Sequence, residues 1–496
     1  MFNKYILDPI LNSLMNFADR NSFFINNSYF TYKDFALNIS KIRTEIQKKS
    51  SSNRNIGIVV NDDVETYAAI FAIWLEGCAY VPIHPKYPLE RGLEIIQQAG
   101  INLIIDTSEK SLFSSYNLIK SKSLSQFEAN LVPKQINDSE IAYILFTSGS
   151  TGKPKGVPIT RGNLGCFMKA FWNVGFQIDE NDRCLQCFDL TFDVSVQSFL
   201  IPLSRGACTY TIPHERIKPG YAYDLMEEQR LTFGAIAPSM VRFLKPYFNE
   251  INLPYLRYNI LTAEASPLAL VKEWSECIPN AEIFDFYGPT EATIYCTYYK
   301  YSRDRLNKQL NGLLSIGKPM DDIIAIVTNE ENNILPANTK GELCIAGGQV
   351  TQGYWNNPDK NISSFFGKEI YGNLVRFYKT GDLCFFDDEG DIMYSGRLDF
   401  QVKIQGFRIE LGEIEYHARE YIGGRNVVAL PYENASGNYE IALFIEDNIN
   451  TTIKLIDHLK LKIPHYMIPS KVISVKEFPL NSNGKIDRNS LKLSIV

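Results

Sequence analysis

Short, strongly apolar segments recur through the first third of the chain and are separated by helix-like stretches. Residues 55–60, 79–83, 101–105 and 141–146 each have the length and the β-branched or aromatic content of a buried strand. Residues 65–75 are mostly apolar and predict a helix. Strands that alternate with helices in this way predict an α/β fold with a parallel sheet and crossover helices. Because ligands bind at the carboxyl ends of such strands, the loop after residue 146 is a candidate site.

The pattern changes after about Arg397, where shorter elements follow one another without a low-complexity linker. The predicted elements are a strand over 400–407, a helix over 410–421, paired strands over 427–431 and 441–445, a helix over 453–461 and a strand over 472–475. About 100 residues are enough for a small α+β domain. We therefore predict two domains, a large N-terminal one over 1–397 and a small C-terminal one over 398–496.

Composition excludes several classes of partner. The 496 residues carry a net charge of −6 without a dense basic cluster, so we expect no nucleic-acid partner. Asp8 and Pro9 interrupt the N-terminal apolar stretch, and no window reaches the ~18 apolar residues of a membrane span. We therefore expect no membrane association. Nine scattered cysteines are typical of reduced thiols, which favours a cytoplasmic location, and the Cys184–Cys187 pair lacks the further ligands of a zinc site.

The sharpest local motif is the segment Thr147-Ser-Gly-Ser-Thr-Gly-Lys-Pro-Lys-Gly156. Its three glycines allow a close approach of the backbone, and its four hydroxyls and two lysines supply donors and positive charge for phosphate. It is not a Walker A loop, because Pro154 follows Lys153 and Thr147 stands where the first glycine of that motif would be. The segment therefore predicts a phosphate-binding loop outside the P-loop NTPase class.

At this loop the sequence resembles the acyl-adenylate-forming superfamily of acyl-CoA synthetases, luciferases and the adenylation domains of nonribosomal peptide synthesis. Further resemblances follow in order along the chain, at residues 77–85, 192–195, 287–291, 341–345, 353–355, 378–382, 396–410 and 481–488. The resemblance implies an adenylate-forming fold, with a large N-terminal domain of parallel-rich sheets and helices and a small mobile α+β C-terminal domain. It also implies an ATP-dependent, AMP-forming ligase that uses Mg2+.

The resemblance implies roles for nucleotide-binding residues. Tyr287 would stack on adenine beside Gly288, and Asp382 would accept from the ribose hydroxyls with Arg397 nearby. The residues that would hold the departing phosphates are Thr147, Ser148, Gly149, Ser150, Thr151, Gly152 and Lys155.

Four further residues would act on the reacting groups or on domain motion. Thr290 would contact the α-phosphate, and Glu291 would bind Mg2+, a hard ion suited to carboxylate and phosphate oxygens. Lys485 would bridge the substrate carboxylate and the ATP oxygens, where negative charge concentrates. Asp399 would be the hinge between the two half-reactions.

Asp193 decides the expected substrate class. A carboxylate buried beside a pocket needs a cationic partner, and in amino-acid-activating relatives the matching Asp binds the substrate ammonium. The alternative is that Asp193 only caps a helix that begins at Phe192-Asp-Val-Ser. The other pocket positions, carried over from amino-acid-activating domains, are Val194, Gln197, Ala235, Ile260, Thr262, Phe286, Ile294 and Tyr295.

Two small amino acids compete as substrates. Asp193, Val194, Gln197 and Ile260 resemble the signature of proline-activating domains, so L-proline is the favoured substrate, although Thr262, Phe286, Ile294 and Tyr295 depart from that signature. The alternative is D-alanine, because residues 396–403 and the overall length resemble D-alanine:carrier-protein ligases. Those ligases tend to carry Cys where Thr262 stands here.

The expected acceptor is a thiol outside the chain. No Gly-Gly-x-Ser loop follows the Lys485 motif before Val496, so we expect a separate phosphopantetheinylated carrier protein and a role in natural-product biosynthesis, including toxins. Coenzyme A is the rival acceptor within the same fold. A catalytically silent binding module is disfavoured because Lys155, Glu291, Asp382, Asp399 and Lys485 are all present.

Overall fold

The computed structural model describes residues 1–49, 54–124, 130–149, 152–213, 216–435, 437–446, 452–480 and 486–495. The chain divides into two compact units. The first contains Met1–Pro85, Ile96–Leu145 and Gly156–Leu398, and the second contains Lys86–Ile95, Phe146–Lys155 and Asp399–Val496. The second unit thus takes in two segments from the first third of the chain, and the predicted domain boundary at 397/398 stays a prediction. Within the described ranges, no helix is long and apolar enough to cross a lipid bilayer.

The helices of the first unit are mostly amphipathic or fully buried. Their bounds are α1 Asp8–Asn16, α2 Tyr32–Lys49, α3 Val64–Leu75, α5 Arg161–Asn173, α6 Asp193–Leu203, α7 Lys218–Glu228, α8 Pro238–Leu244, α9 Leu268–Cys277 and α10 Pro358–Ser364, with α4 Leu89–Ala99 extending from the second unit into the first. Helix α3 confirms the helix predicted over 65–75, and it begins after Asp63, whose carboxylate accepts a hydrogen bond from the Thr66 amide. Every residue of α3 except Glu65 is buried, which explains why its sequence is apolar from Tyr67 to Leu75.

Two sheets of the first unit contain long runs of parallel strands. The strands of one sheet are β3 Asn55–Val59, β4 Ala79–Ile83, β5 Leu103–Asp106, β6 Asn117–Lys120, β7 Ile141–Thr147 and β8 Lys155–Thr160. Their order in the sheet is β6-β5-β3-β4-β7-β8, and the pairs from β6 to β7 are parallel. The four predicted strands are therefore confirmed as β3, β4, β5 and β7, and the parallel α/β class is correct.

A larger sheet contains nine strands. They are β1 Asn21–Ile25, β2 Ser28–Thr31, β9 Arg183–Gln186, β10 Cys208–Thr211, β11 Phe233–Ile236, β12 Tyr258–Leu261, β13 Glu282–Tyr287, β14 Thr297–Lys300 and β17 Lys318–Pro319. Their order is β17-β14-β13-β12-β11-β9-β10-β1-β2, with parallel pairing from β13 through to β1. The carboxyl ends of β9, β11, β12 and β13 lie at one edge, so residues that follow them gather there.

Antiparallel strands complete the first unit. They are β15 Gln309–Leu310, β16 Leu313–Leu314, β18 Ile323–Thr328, β19 Gly341–Gly347, β20 Phe365–Ile370, β21 Asn373–Phe386 and β22 Ile392–Arg397. Strand β21 pairs with both β19 and β22, and this pairing sets Asp382 opposite Arg397.

The second unit contains a hairpin, a three-stranded sheet and helices. Its elements are β23 Gln401–Ile404, β24 Phe407–Glu410, α11 Leu411–Tyr421, β25 Val427–Glu433, β26 Tyr439–Glu446, α12 Thr452–Lys460, β27 Lys471–Val475 and α13 Arg488–Leu493. Strands β25 and β26 are antiparallel, which confirms the predicted pairing, and β27 is parallel to β26. The single strand predicted over 400–407 is wrong. Gln405 and Gly406 both have positive φ, so the chain reverses there and forms the β23–β24 hairpin.

Candidate functional site

Three of the predicted nucleotide residues come together at the end of β13. The Tyr287 hydroxyl donates a hydrogen bond to the Asp382 carboxylate. Arg397 donates to the other oxygen of Asp382 at 2.7 Å. Burial raises the pKa of Tyr287 well above its ordinary value, and the charge of Asp382 raises it further, so the phenol stays protonated and keeps donating. The result is a cation, a carboxylate and an aromatic ring held in one network.

Gly288 follows Tyr287 where the backbone is tightly packed. A Cβ at this position would lie 2.4 Å from the Ile294 carbonyl oxygen and 2.6 Å from the Tyr295 Cα, so only glycine fits. This close packing joins the end of β13 to the segment that carries two of the predicted pocket residues.

Glu291 is fully buried two residues beyond Pro289. The Tyr354 hydroxyl donates to its Oε1 at 2.7 Å, and the Tyr378 hydroxyl lies 3.4 Å from that of Tyr354. Thr290, the neighbour of Glu291, is half-buried. Tyr354 belongs to the Gly353-Tyr354-Trp355 motif, but its contact with Glu291 was not predicted, because the motif carried no sign of its partner.

The side chains near Glu291 suit a Mg2+ ion that is bound by one carboxylate together with phosphates and water. Among the residues that the structure describes, they do not form a site in which several protein ligands surround the metal. In the described ranges there is no group of three or more His, Cys, Asp and Glu side chains that could hold a metal ion. Mg2+ is commonly bound through one or two carboxylates together with substrate phosphates and water. A single buried carboxylate with one oxygen oriented by a tyrosine suits that arrangement.

Asp193 is the first residue of α6, and it is 9% exposed. Phe192 rather than Asp193 stands at the N-cap of this helix, and Asp193 is the acidic residue of its first turn, a place where a carboxylate also stabilises the helix N-terminus. The pKa values of the Tyr80, Tyr143 and Tyr295 hydroxyls are raised first by burial and then also by the negative charge of Asp193. The charge of Asp193 thus acts on several buried hydroxyls of the first unit.

The remaining predicted pocket positions are all buried in the same unit: Val194, Gln197, Ala235, Ile260, Thr262, Phe286, Ile294 and Tyr295. Gln197 lies one helical turn after Asp193 and therefore on the same face of α6. The Tyr295 hydroxyl donates to Gln197 Oε1 at 3.3 Å, and the Tyr295 ring lies 5.0 Å from that of Phe286. The adjacent strands β11 and β12 place Ala235 opposite Ile260.

Residues 147–155 of the predicted phosphate loop belong to the second unit, where those that the structure describes contact strand β24. Ser148 Oγ donates to the Arg408 carbonyl oxygen at 2.9 Å, and Lys155 pairs with Glu410 at 2.9 Å. Ser150, Thr151 and Lys485 lie outside the described residues. Asp399 begins the last segment of this unit and accepts a hydrogen bond from the Gln401 amide at 3.1 Å.

The model of a protein family described as AMP-binding enzyme matches residues 13–355. The chain belongs to this family. This AMP-binding enzyme is 30% identical over 488 residues to tyrocidine synthase 1 of Brevibacillus parabrevis, an alignment that covers 96% of the chain and 44% of that relative. The chain thus spans less than half of that relative's length.

A relative of similar length is the D-alanine--D-alanyl carrier protein ligase of Bacillus velezensis. It is 31% identical over 468 residues, which cover 91% of this AMP-binding enzyme and 92% of the relative. Among solved structures, the adenylation domain AlmE of Vibrio cholerae in complex with glycyl-adenosine-5'-phosphate has a TM-score of 0.87 at 23% identity, with 99% of this chain and 97% of that chain covered. This likeness confirms the adenylate-forming fold that the motifs predicted.

Proposed function

We propose that the chain activates a small amino acid with ATP and transfers it to the phosphopantetheine thiol of a separate carrier protein. In the first step a carboxylate oxygen attacks the α-phosphorus of ATP and pyrophosphate leaves. In the second step the thiolate attacks the carbonyl carbon of the aminoacyl adenylate and AMP leaves. The observation that carries the amino-acid part of this proposal is the buried carboxylate of Asp193 at the start of α6.

The side chains near Tyr287 supply the chemistry that the first step needs. Asp382 accepts from Tyr287 and Arg397, and in the bound state we propose that it also accepts from the ribose hydroxyls. Mg2+, when bound beside Glu291, would neutralise charge on the phosphate oxygens. Lys485 is proposed to stabilise the charge that develops between the substrate carboxylate and the α-phosphate.

Asp193 is proposed to hold the ammonium of the amino acid. Its carboxylate is buried, and a buried carboxylate is stabilised by a cationic partner. The site therefore favours an amino acid over a fatty acid, which has no ammonium group. Once the ammonium is held, the substrate's side chain would extend toward Gln197 and Tyr295, which are joined by a hydrogen bond. Because Gln197, Phe286 and Tyr295 are all buried and bulky, we propose that they leave room only for a small side chain.

For the substrate, D-alanine is better supported than L-proline. A D-alanine--D-alanyl carrier protein ligase matches the chain over 91% of its length, and that ligase is itself covered to 92%. L-proline remains the second candidate on the resemblance of Asp193, Val194, Gln197 and Ile260 to proline-activating domains. If L-proline is the substrate, we propose that the product is used in natural-product biosynthesis. For D-alanine we make no such proposal.

Amino-acid-dependent exchange of labelled pyrophosphate into ATP tests the proposal. We expect exchange with D-alanine or L-proline and background exchange with fatty acids. Exchange with fatty acids but with none of the twenty common amino acids or D-alanine would contradict the amino-acid assignment. Transfer of the labelled acyl group to a phosphopantetheinylated carrier protein, measured beside coenzyme A, then distinguishes the two acceptors.

A further inference from the structure

In the second unit, the phosphate loop is bound by carboxylates of the chain itself. The Gly149 amide donates to Glu413 Oε2 at 3.0 Å, and the Lys155 ammonium pairs with Glu410 Oε1 at 2.9 Å. The backbone amide of a glycine and the ammonium of a lysine are both donors that phosphate-binding loops use. Each is thus engaged with an anionic oxygen that the chain itself supplies.

The two carboxylates are held firmly in place. Arg91 pairs with the second oxygen of Glu413 at 2.5 Å, and the side chains of this pair are 4% and 0% exposed. Gln401 Nε2 donates to the same oxygen of Glu410 that accepts from Lys155, at 2.9 Å. A carboxylate that accepts from both a guanidinium and a backbone amide makes charge-assisted hydrogen bonds, which are stronger than neutral ones.

Helix α11 lies directly against the loop. A Cβ at Gly152 would lie 2.3 Å from the Tyr416 ring, and Gly152 also has a φ of +80°, so glycine is required there on two grounds. His417 Nε2 is 3.3 Å from the Gly152 carbonyl oxygen. Ser148 Oγ accepts from the Glu410 amide at 3.2 Å. The contacts of Glu410 and Glu413 are therefore part of a packed face and not isolated surface pairs.

We infer that Glu410 and Glu413 are internal anions that occupy the phosphate loop and compete with the phosphates of ATP and pyrophosphate for the Gly149 amide and Lys155. This inference rests on the proposed function, which makes the loop a phosphate site. Replacement of the carboxylates by phosphate at these two donors needs no covalent step. A phosphate takes the two donors, while Glu413 keeps its pair with Arg91 and Glu410 keeps its hydrogen bond with Gln401.

The competition has a functional consequence. A loop whose donors are always paired with an anion never leaves a lysine and a backbone amide desolvated without partners, which would be costly. Binding of ATP must displace the carboxylates, and their return would help to expel pyrophosphate. The loop therefore favours product release at the expense of the affinity for nucleotide.

Direct binding of inorganic pyrophosphate, with Mg2+ and without amino acid, tests the inference by calorimetry. We expect Glu410→Gln and Glu413→Gln each to bind pyrophosphate more tightly than the unmodified chain, by about tenfold, because a neutral amide competes less well for charged donors. Glu433→Gln, which removes the same charge at an exposed end of β25 in the same unit, is the matched control and should leave the affinity unchanged.

Equal or weaker affinity in both variants would overturn the inference, because residues with only a structural role would not raise affinity when changed. Should Glu413→Gln fail to fold for want of the buried partner of Arg91, Glu410→Gln decides the matter, since the Lys155–Glu410 pair is 11% and 15% exposed. Absence of pyrophosphate binding in the unmodified chain and in every variant would instead count against the proposed function.

Discussion

The Tyr354 hydroxyl donates a hydrogen bond of 2.7 Å to the carboxylate of Glu291, a residue 63 positions earlier in the chain. Glu291 is completely buried, so its charge needs a donor that holds it in one orientation. The Tyr378 hydroxyl, 3.4 Å from that of Tyr354, extends the network. We therefore regard Tyr354 as a positioning residue for the proposed Mg2+ ligand.

Replacement of Tyr354 by Phe tests this relationship. The ring remains and the donor is lost, so we expect the affinity for Mn2+, used as a spectroscopic substitute for Mg2+ in the presence of ATP, to fall by about tenfold or more. Electron paramagnetic resonance of free Mn2+ measures this affinity without recourse to activity. Tyr371→Phe, at a fully exposed tyrosine, is the control. Unchanged metal affinity in Tyr354→Phe would contradict the positioning role.

Asp193→Asn removes the proposed ammonium partner and keeps the shape of the side chain. We expect amino-acid-dependent pyrophosphate exchange to fall by about 100-fold or more, because an ammonium would then be buried without a countercharge. Binding of ATP alone should not change. Asp224→Asn, at an exposed position on α7, is the control. Full activity and unchanged selectivity in Asp193→Asn would remove the amine-binding role.

Lys485→Ala separates the two half-reactions. We expect formation of the aminoacyl adenylate to fall by about 100-fold or more, since a charge that stabilises the transition state is lost. Transfer from a preformed aminoacyl adenylate to the carrier thiol should stay within about threefold of the unmodified rate, because Lys485 is assigned only to the first step. Lys492→Ala, at an exposed lysine of α13, is the control. Equal losses in both steps would refute this assignment.

Glu76 links stability to pH. Burial alone would raise the pKa of Glu76, but its hydrogen bonds with Lys134, Arg43 and Gln47 outweigh burial and lower the pKa below its ordinary value. Because the folded pKa is below the unfolded one, the stabilisation is complete above pH ~4.3 and is lost as pH falls through the folded pKa.

The buried Arg43–Glu76 pair, at 2.7 Å, gives this effect a test. At neutral pH we expect Glu76→Gln to destabilise the fold by about 3 kcal/mol, since Arg43 keeps its charge without a countercharge. The difference in thermal midpoint from the unmodified chain should shrink as pH falls below ~4.3 and through the lowered pKa of Glu76, where the carboxylate itself becomes protonated. Glu331→Gln at an exposed position is the control. A difference that stays constant over that range would exclude the linkage.

Local sequence was sufficient for four strands of the six-stranded sheet, β3, β4, β5 and β7, whereas the strands of the nine-stranded sheet were not predicted. Residues 55–60 and 141–146 were predicted as strands and are β3 and β7, because a buried strand must be apolar on both faces. The prediction of one strand over 400–407 was wrong, and the reason is also local. Gln405 adopts positive φ beside Gly406, and alternation of polar and apolar residues does not distinguish one strand from a tight hairpin.

The family and the α/β class follow from the amino-acid sequence alone, because ordered motifs and the alternation of strands and helices are local features of the chain. The sequence also supplies the candidate residues for phosphate and ammonium recognition, which stay predictions. The three-dimensional fold was needed to establish which distant groups meet. Arg91 and Glu413 are 322 positions apart, and Tyr354 and Glu291 are 63 apart. Such pairs arise from the order of strands in a sheet and from helix packing, which bring together side chains whose spacing in the sequence carries no sign of contact.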